Sequence, residues 1–277
     1  MKLQALTREE FADKCWQRCT SYQFSANQHL SPLVLAEMPK AMMAFPIAFV
    51  HQAQGYVPVA LMSLLPGVNW LVHPDGHWLA SYTPAVLRSH PFHMAHTDDA
   101  IPVLCFDVDS GLLHELGAGD SGAEAFFDQD GQPSATVGSI MQFLRGLVAQ
   151  RQVTERACGL LAAYGLIQPW SIKVATPQGE KTLDGLSKVD EARLSQLSGS
   201  ELQELVRAGS IGLAYCQLLS MQHLPMLGRL ADQQAQWRQT AAVQQPLVAA
   251  DLGLPSTPSG ELDLEFLNRG GTLSFGA

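Results

Sequence analysis

Charge is scarce in this chain. Asp, Glu, Lys and Arg make up 16% of its 277 residues, against roughly 25% in an average soluble domain, which excludes a highly charged disordered segment and an ion-pair-coated surface. With 17 Lys and Arg against 26 Asp and Glu, the cation clusters that release counterions from a phosphate backbone are missing, so nucleic acid is not an expected partner. Long apolar runs are also missing. The richest stretches, 41–50 and 57–65, are broken by Pro, His or Ser and fall short of the roughly 20 residues that cross a bilayer, so no membrane insertion is expected. Residues 1–11 carry Lys2, Arg8, Glu9 and Glu10 with no apolar core behind them, so no secretory signal is expected and cytoplasmic residence is the default. Cysteine is sparse and odd in number. Cys15, Cys19, Cys105, Cys158 and Cys216 read as reduced thiols used as small hydrophobes. Cys15 and Cys19 are spaced to share a helical face, but no second Cys or His pair with zinc-site spacing accompanies them. Internal repeats and heptads are absent.

What is present is a hydrophobic chain, 47% apolar, long enough for a sizeable core. Residues 1–31 read as a polar lead-in with a helix from Thr7 to about Arg18, because Glu10 stands three positions after Thr7 as in a capping box. Residues 32–230 read as the main domain. Strands are expected at 32–36, 45–51 and 56–65, a helical turn at 37–44 and further strands at 92–96 and 101–107. Asp75-Gly76 is a hairpin turn that, as a two-residue loop, places His73 opposite Trp78 and Val72 opposite Leu79. A short helix begins at Pro84, and 117–133 is an acidic loop anchored by two phenylalanines. Helical spacing over 136–166 fits one long helix or two stacked ones. A hairpin flanks Pro177-Gln178-Gly179, and helices follow at 190–197, at 199–208 with a Ser200 cap, and at 211–230, stopped or kinked at Pro225. Residues 231–260 are a Gln/Ala-rich segment and linker. Residues 261–277 read as a C-terminal strand or hairpin, since Leu262, Leu264 and Phe266 alternate with Asp263 and Glu265; its apolar face requires a surface, on this domain or on a second copy in a homo-oligomer. The expected class is α+β, a mostly antiparallel sheet from the N-terminal half packed by helices from the middle and C-terminal third.

The chemistry-bearing motifs are few. The chain has no Gly-x-Ser-x-Gly, and Gly119-Asp120-Ser121-Gly122 sits in the acidic loop. No phosphate loop or dinucleotide fingerprint is present. The acidic turns 107–111 and 128–131 lack the bidentate Glu of an EF-hand. His90, His93 and His96 cluster ahead of Asp98 and Asp99. On a strand His96 and Asp98 share a face, as in half of a non-haem iron site, and they are the candidate metal ligands, although nothing nominates a third. A ligand pocket is expected where Asn69, Trp70, Trp78, Tyr82 and Arg88 converge. Arg88 among aromatics suits a carboxylate or a planar ring; its alternative is to cap its helix's last carbonyls. The segment 32–106 has few carboxylates and many aromatics and prolines, which suits a partner or ligand surface.

The runs Glu37-Met38-Pro39-Lys40, Phe45-Pro46, Val68-Asn69-Trp70-Leu71-Val72, Asp75-Gly76-His77-Trp78, Tyr82-Thr83-Pro84-Ala85-Val86-Leu87-Arg88 and Pro91-Phe92 resemble the bacterial SapC family. Cys105-Phe106-Asp107, Leu183-Asp184-Gly185-Leu186, Val189-Asp190-Glu191, Leu213-Ala214-Tyr215 through Ser220, and the ending 263–268 extend the likeness. The family is named for a surface-layer-associated protein and is distinct from the peptide-transporter permease of the same name. Its members are often encoded near proteins similar to flavin-dependent tryptophan halogenases, cupin-like proteins and TonB-dependent receptors, which implies a part in uptake or modification of a small molecule or peptide. The resemblance supplies no catalytic residues and no cofactor, and the histidine cluster departs from the family pattern. Three functions are therefore open: an accessory or binding protein for a small molecule or protein partner, an enzyme without a recognisable cofactor motif or dependent on a metal at His96 and Asp98, and a surface-layer structural component.

Overall fold

A computed structural model describes residues 1–96, 101–116, 122–176 and 179–244. In chain order the elements are β1 (Leu3–Ala5), α1 (Arg8–Phe11), β2 (Lys14–Trp16), β3 (Leu30–Pro32), α2 (Met38–Ala41), β4 (Ile47–Gln52), β5 (Gly55–Leu61) and α3 (Ala85–Arg88). Then follow β6 (Phe92–His96), β7 (Pro102–Asp107), β8 (Leu113–Glu115), β9 (Glu124–Ala125), α4 (Ala135–Ala163), β10 (Ile167–Pro169), β11 (Ile172–Thr176), β12 (Gly179–Leu183) and β13 (Leu186–Val189). The chain continues through α5 (Glu191–Leu194), α6 (Gly199–Arg207), α7 (Ser210–Ser220) and α8 (Leu224–Gln244). It divides into two compact units, Met1–Ala231 and Asp232–Ala277. The first is an α+β unit.

The described strands form antiparallel sheets of order β10-β13-β4-β5-β3, β1-β7-β6 and β8-β2-β9, with β11-β12 as a separate ribbon. The β4–β5 hairpin is the centre of the largest, pairing Ile47 with Ala60 through Gln52 with Gly55. Its residues Ile47, Ala48, Phe49, Ala60 and Leu61 are wholly buried, as expected of strands covered on both faces. Pro58 lies within β5. It cannot donate to the ladder, but its carbonyl accepts from Leu33 N at 2.9 Å.

Helix α4 joins two cores. Its first half buries Val137, Leu144 and Leu147 against an aromatic cluster of Phe11, Trp16, Phe92, Phe106 and Phe126. Those rings meet edge to face, with Phe11 and Phe126 centroids 5.0 Å apart and Trp16 and Phe92 centroids 4.7 Å apart, the geometry that ring quadrupoles favour. The second half buries Ala157, Cys158 and Leu161 with Ile47, Phe49 and Leu213. The helix begins at Ser134, whose Oγ accepts from Val137 N at 3.4 Å. It ends where Gly165 turns left-handed (φ +66°) and Leu166 N reaches back to Leu161 O at 2.8 Å, a Schellman stop. The sequence left one helix or two open over 136–166; it is one helix of 29 residues.

Helix α7 closes the largest sheet with polar atoms. Gln217, wholly buried, accepts from Val189 N at 2.9 Å and donates to Ile47 O at 3.1 Å, while Ser220 Oγ accepts from Ile47 N at 2.9 Å. Between β13 and β4 the ladder ends after Leu186–Val50 and Ser187–Phe49. The Gln217 amide supplies both halves of the missing backbone pairing, which buried N–H and C=O groups require.

Several local expectations are corrected. The helix expected from Thr7 to about Arg18 stops at Phe11, Thr7 makes no side-chain cap, and the chain turns into β2. The stretch is held by pairing: β1 runs against β7 and β2 against β8 and β9. Cys15 therefore lies in a strand and shares no helical face with Cys19. The expected strand at 32–36 is β3 followed by a 3-10 turn at Leu35–Glu37. The turn at Asp75-Gly76 has a different register: Val72 bridges Trp78, and the loop closes through His73 N to His77 O at 2.9 Å. Asp75 lies between the two histidines, 2.7 Å from His73 Nδ1 and 2.9 Å from His77 Nδ1; its bond from the His77 amide, and then those histidines, hold its carboxyl well below the usual range. Ser198, rather than Ser200, caps α6, and Pro225 lies in the first turn of α8 rather than ending a helix, where its missing N–H costs nothing. The expected C-terminal strand falls outside the described residues.

Candidate functional site

Glu37 is the anchor of the site. The 3-10 turn that carries it follows β3, and its first amide, Leu35 N, donates to Thr154 Oγ1 on α4 at 2.8 Å. Glu37 is 5% exposed, an unusual place for a carboxylate unless its oxygens are satisfied. They are: Oε1 accepts from Val34 N at 2.9 Å, and Oε2 accepts from the Tyr82 hydroxyl at 2.8 Å and Ala85 N at 2.9 Å. The last is the first amide of α3, whose N-cap Pro84 offers no side-chain acceptor. Glu37 therefore caps α3 from another part of the chain, and this fixes the direction in which Arg88, at its last turn, leaves the backbone.

Arg88 is exposed. Its guanidinium lies 5.6 Å from the Tyr82 ring centroid and 5.3 Å from that of Phe143 on α4, and its Nη2 donates to the Tyr82 hydroxyl at 3.4 Å. Among the described residues it enters no ion pair. Tyr82 is thus shared between a cation and a carboxylate. Burial and the bond to Glu37 raise its hydroxyl to about 12, so it remains a donor at neutral pH.

Arg88, Ser139 and Phe143 form the wall between two open grooves. One, of about 550 Å³, is lined by Glu37, Lys40, Tyr82 and Gln150. The other, of about 570 Å³, lies at the start of α4 and is lined by Trp16, Arg18, His90, Thr136 and Ile140. Both fall in the range of small-molecule sites. In the second, Arg18 Nε is 2.6 Å from Glu124 Oε1, and the bonds from Arg18 and then Thr136 hold the Glu124 carboxyl below its usual value. His90 stacks on Phe24, centroids 3.8 Å apart and 11° from parallel; burial, then the neighbouring His93, push it down to about 4, so it is neutral at pH 7.

Of the residues expected to converge, Tyr82 and Arg88 meet directly. Trp78 joins them through its Nε1, which donates to Tyr82 O at 2.7 Å, and through packing on Phe45. Asn69 is buried and holds its own loop, donating to Ser25 O at 3.2 Å and accepting from Leu71 N at 2.9 Å. Trp70 is buried in the core on the opposite side of the large sheet, with Ala48, Leu61 and Trp170. Glu37, Lys40, Phe143 and the groove at the start of α4 were not nominated by motif. The one available signal was an acidic residue, Glu37, amid an otherwise apolar segment. His96 closes β6 opposite Pro102, while its side chain and Asp98 lie outside the described residues. Among those described, no group of three or more His, Cys, Asp or Glu is arranged to hold a metal ion, and no helix is long and apolar enough to cross a membrane.

No curated protein and no solved structure matches the chain. The SapC family model matches residues 6–227, a span that takes in every described strand except β1, together with Glu37, Tyr82, Arg88 and the whole of α4. The chain belongs to the SapC family.

Proposed function

We propose that this protein is a binding protein whose small-molecule or peptide ligand carries an anionic group and is held at Arg88, in the setting of uptake or modification that the family implies. One observation carries the reading. Arg88 presents a guanidinium between two rings, with no ion-pair partner among the described residues, at the wall between two ligand-sized grooves. A guanidinium so placed keeps its in-plane N–H fork for a carboxylate or a similar planar acceptor. Its orientation is fixed in advance through Tyr82 and Glu37, which lowers the ordering cost of binding.

The test is ligand-detected NMR with anionic, neutral and cationic small molecules and short peptides. The expected result is a set of anionic hits that weaken at least tenfold in Arg88→Ala while circular dichroism and the unfolding midpoint stay at wild-type values. Hits indifferent to Arg88→Ala, or no hits, would overturn the reading.

A further inference from the structure

The groove at the start of α4 has a charge balance that narrows the ligand. Its cations are Arg18 and Arg88. The first is neutralised by Glu124 at 2.6 Å, and His90 is neutral at pH 7. Among the described residues the lining contains no carboxylate, and Arg88 is the one charge there without an ion pair. To it the fold adds the first turn of a 29-residue helix: Ala135 and Thr136 border the groove, and amides at these positions have no partner within the helix and carry its positive partial charge. Trp16 also lines the groove; it is 3% exposed, and its buried Nε1 has no acceptor among the described residues. Ser89, Ser139 and Cys19 complete the lining beside the apolar Phe92, Ile140 and Phe143.

We infer that this groove is the site of a monocarboxylate with an apolar, ring-sized body, its carboxylate on Arg88 and the first turn of α4 and its body against Ile140 and Phe143. The assignment rests on the Arg88 reading above and makes it specific. Arg88 by itself matches the one negative charge of a carboxylate; a phosphate monoester would bring nearly two, of which the roughly half charge of the helix end covers only part, in a partly apolar groove.

The experiment titrates the whole protein with phenylacetate, 2-naphthylacetate, phenylacetamide and phenyl phosphate, by ligand-detected NMR and calorimetry. The carboxylates are expected to bind saturably, and phenylacetamide and phenyl phosphate at least tenfold more weakly. Arg88→Ala should weaken the carboxylates tenfold to a hundredfold. Ala135→Phe plugs this groove from an exposed position and should abolish binding; Gly146→Met, on the lining of the neighbouring groove, should leave it unchanged, since a side chain there starts in open space. Tighter binding of phenyl phosphate, or a block by Gly146→Met in place of Ala135→Phe, would overturn the inference. So would carboxylates that fail to bind. If the broader NMR panel still gives Arg88-dependent hits, the binding reading survives that failure; if it gives none, both fall.

Discussion

Replacing Glu37 with alanine tests whether the site is held by a buried carboxylate. The change removes the acceptor for Val34 N, Ala85 N and the Tyr82 hydroxyl at one stroke. Val34 and Ala85 are 6% and 3% exposed, so both amides are left unpaired in the interior. Each such group costs about 1–3 kcal/mol, which makes a loss of roughly 2–6 kcal/mol. The Tyr82 hydroxyl is half-buried and can turn toward water, adding at most about 1 kcal/mol. Set against a total stability of about 5–15 kcal/mol, this is a large fraction. Glu37→Gln keeps one oxygen and puts an amide N–H₂ where a second acceptor is needed, so it should lose about 1–3 kcal/mol. Tyr82→Phe removes a single partner and should cost about 1 kcal/mol. Urea unfolding followed by tryptophan fluorescence and by circular dichroism measures all three. The expected order is wild type, Tyr82→Phe, Glu37→Gln, Glu37→Ala, from most to least stable. A Glu37→Ala protein within about 1 kcal/mol of wild type, or less damaged than Glu37→Gln, would refute the reasoning. Because Glu37 also caps α3, a four-residue helix too short to hold itself, both Glu37 variants should bind Arg88-dependent ligands more weakly than Tyr82→Phe does.

Gln217→Leu should destabilise the protein by about 2–4 kcal/mol in the same urea assay, since it fills the same space but strands Val189 N and Ile47 O; a loss below about 1 kcal/mol would mean that the Gln217 bridge between β13 and β4 is dispensable. The protein should also weaken on acidification through the histidine range. An unfolded His90 takes up its proton near pH 6.5, while the folded one, held down by burial, does so only near pH 4. Between these values the unfolded state binds more protons, so stability falls as pH is lowered. Urea midpoints at pH 7.5 and 5 should show the drop, and His90→Phe, which keeps a ring on Phe24, should shrink it; a wild-type midpoint that does not fall would contradict the burial of His90.

Much of the α+β plan is legible because it depends on periodicity and local turn chemistry. The β4 and β5 strands, the short helix after Pro84, β6, β7 and the helical run over 136–166 follow from apolar spacing and from Pro at element starts. The N-terminal helix does not follow. Its capping-box spacing is a local preference worth about 1 kcal/mol, and pairing of β1 with β7 and β2 with β8 and β9 outweighs it. The register at Asp75 likewise departs from the two-residue turn because Asp75 binds His73, His77 and the His77 amide, which stabilises a longer loop.

The candidate site divides in the same way. Tyr82 and Arg88 lie six residues apart on one short segment, and their meeting could be anticipated from the chain. Asn69 and Trp70 lie nine and eight residues from Trp78, not far beyond the six between Tyr82 and Arg88, yet the Asn69 bonds to its own loop and the Trp70 amide bond to Met62 O hold them in the interior. Glu37, Phe143, Trp16 and Thr136 join Arg88 from 48 to 72 residues away because the two cores that α4 crosses bring the 3-10 turn, β2 and the start of α4 to the same grooves. Composition and spacing by themselves determined the class, the absence of long apolar runs and the weakly charged segment that supplies Glu37, Tyr82 and Arg88. The cap on α3, the neutralisation of Arg18 by Glu124 and the lack of an ion pair at Arg88 among the described residues were decided by tertiary packing, since each depends on which charges and amides the fold brings within hydrogen-bond reach, and no local pattern encodes that distance.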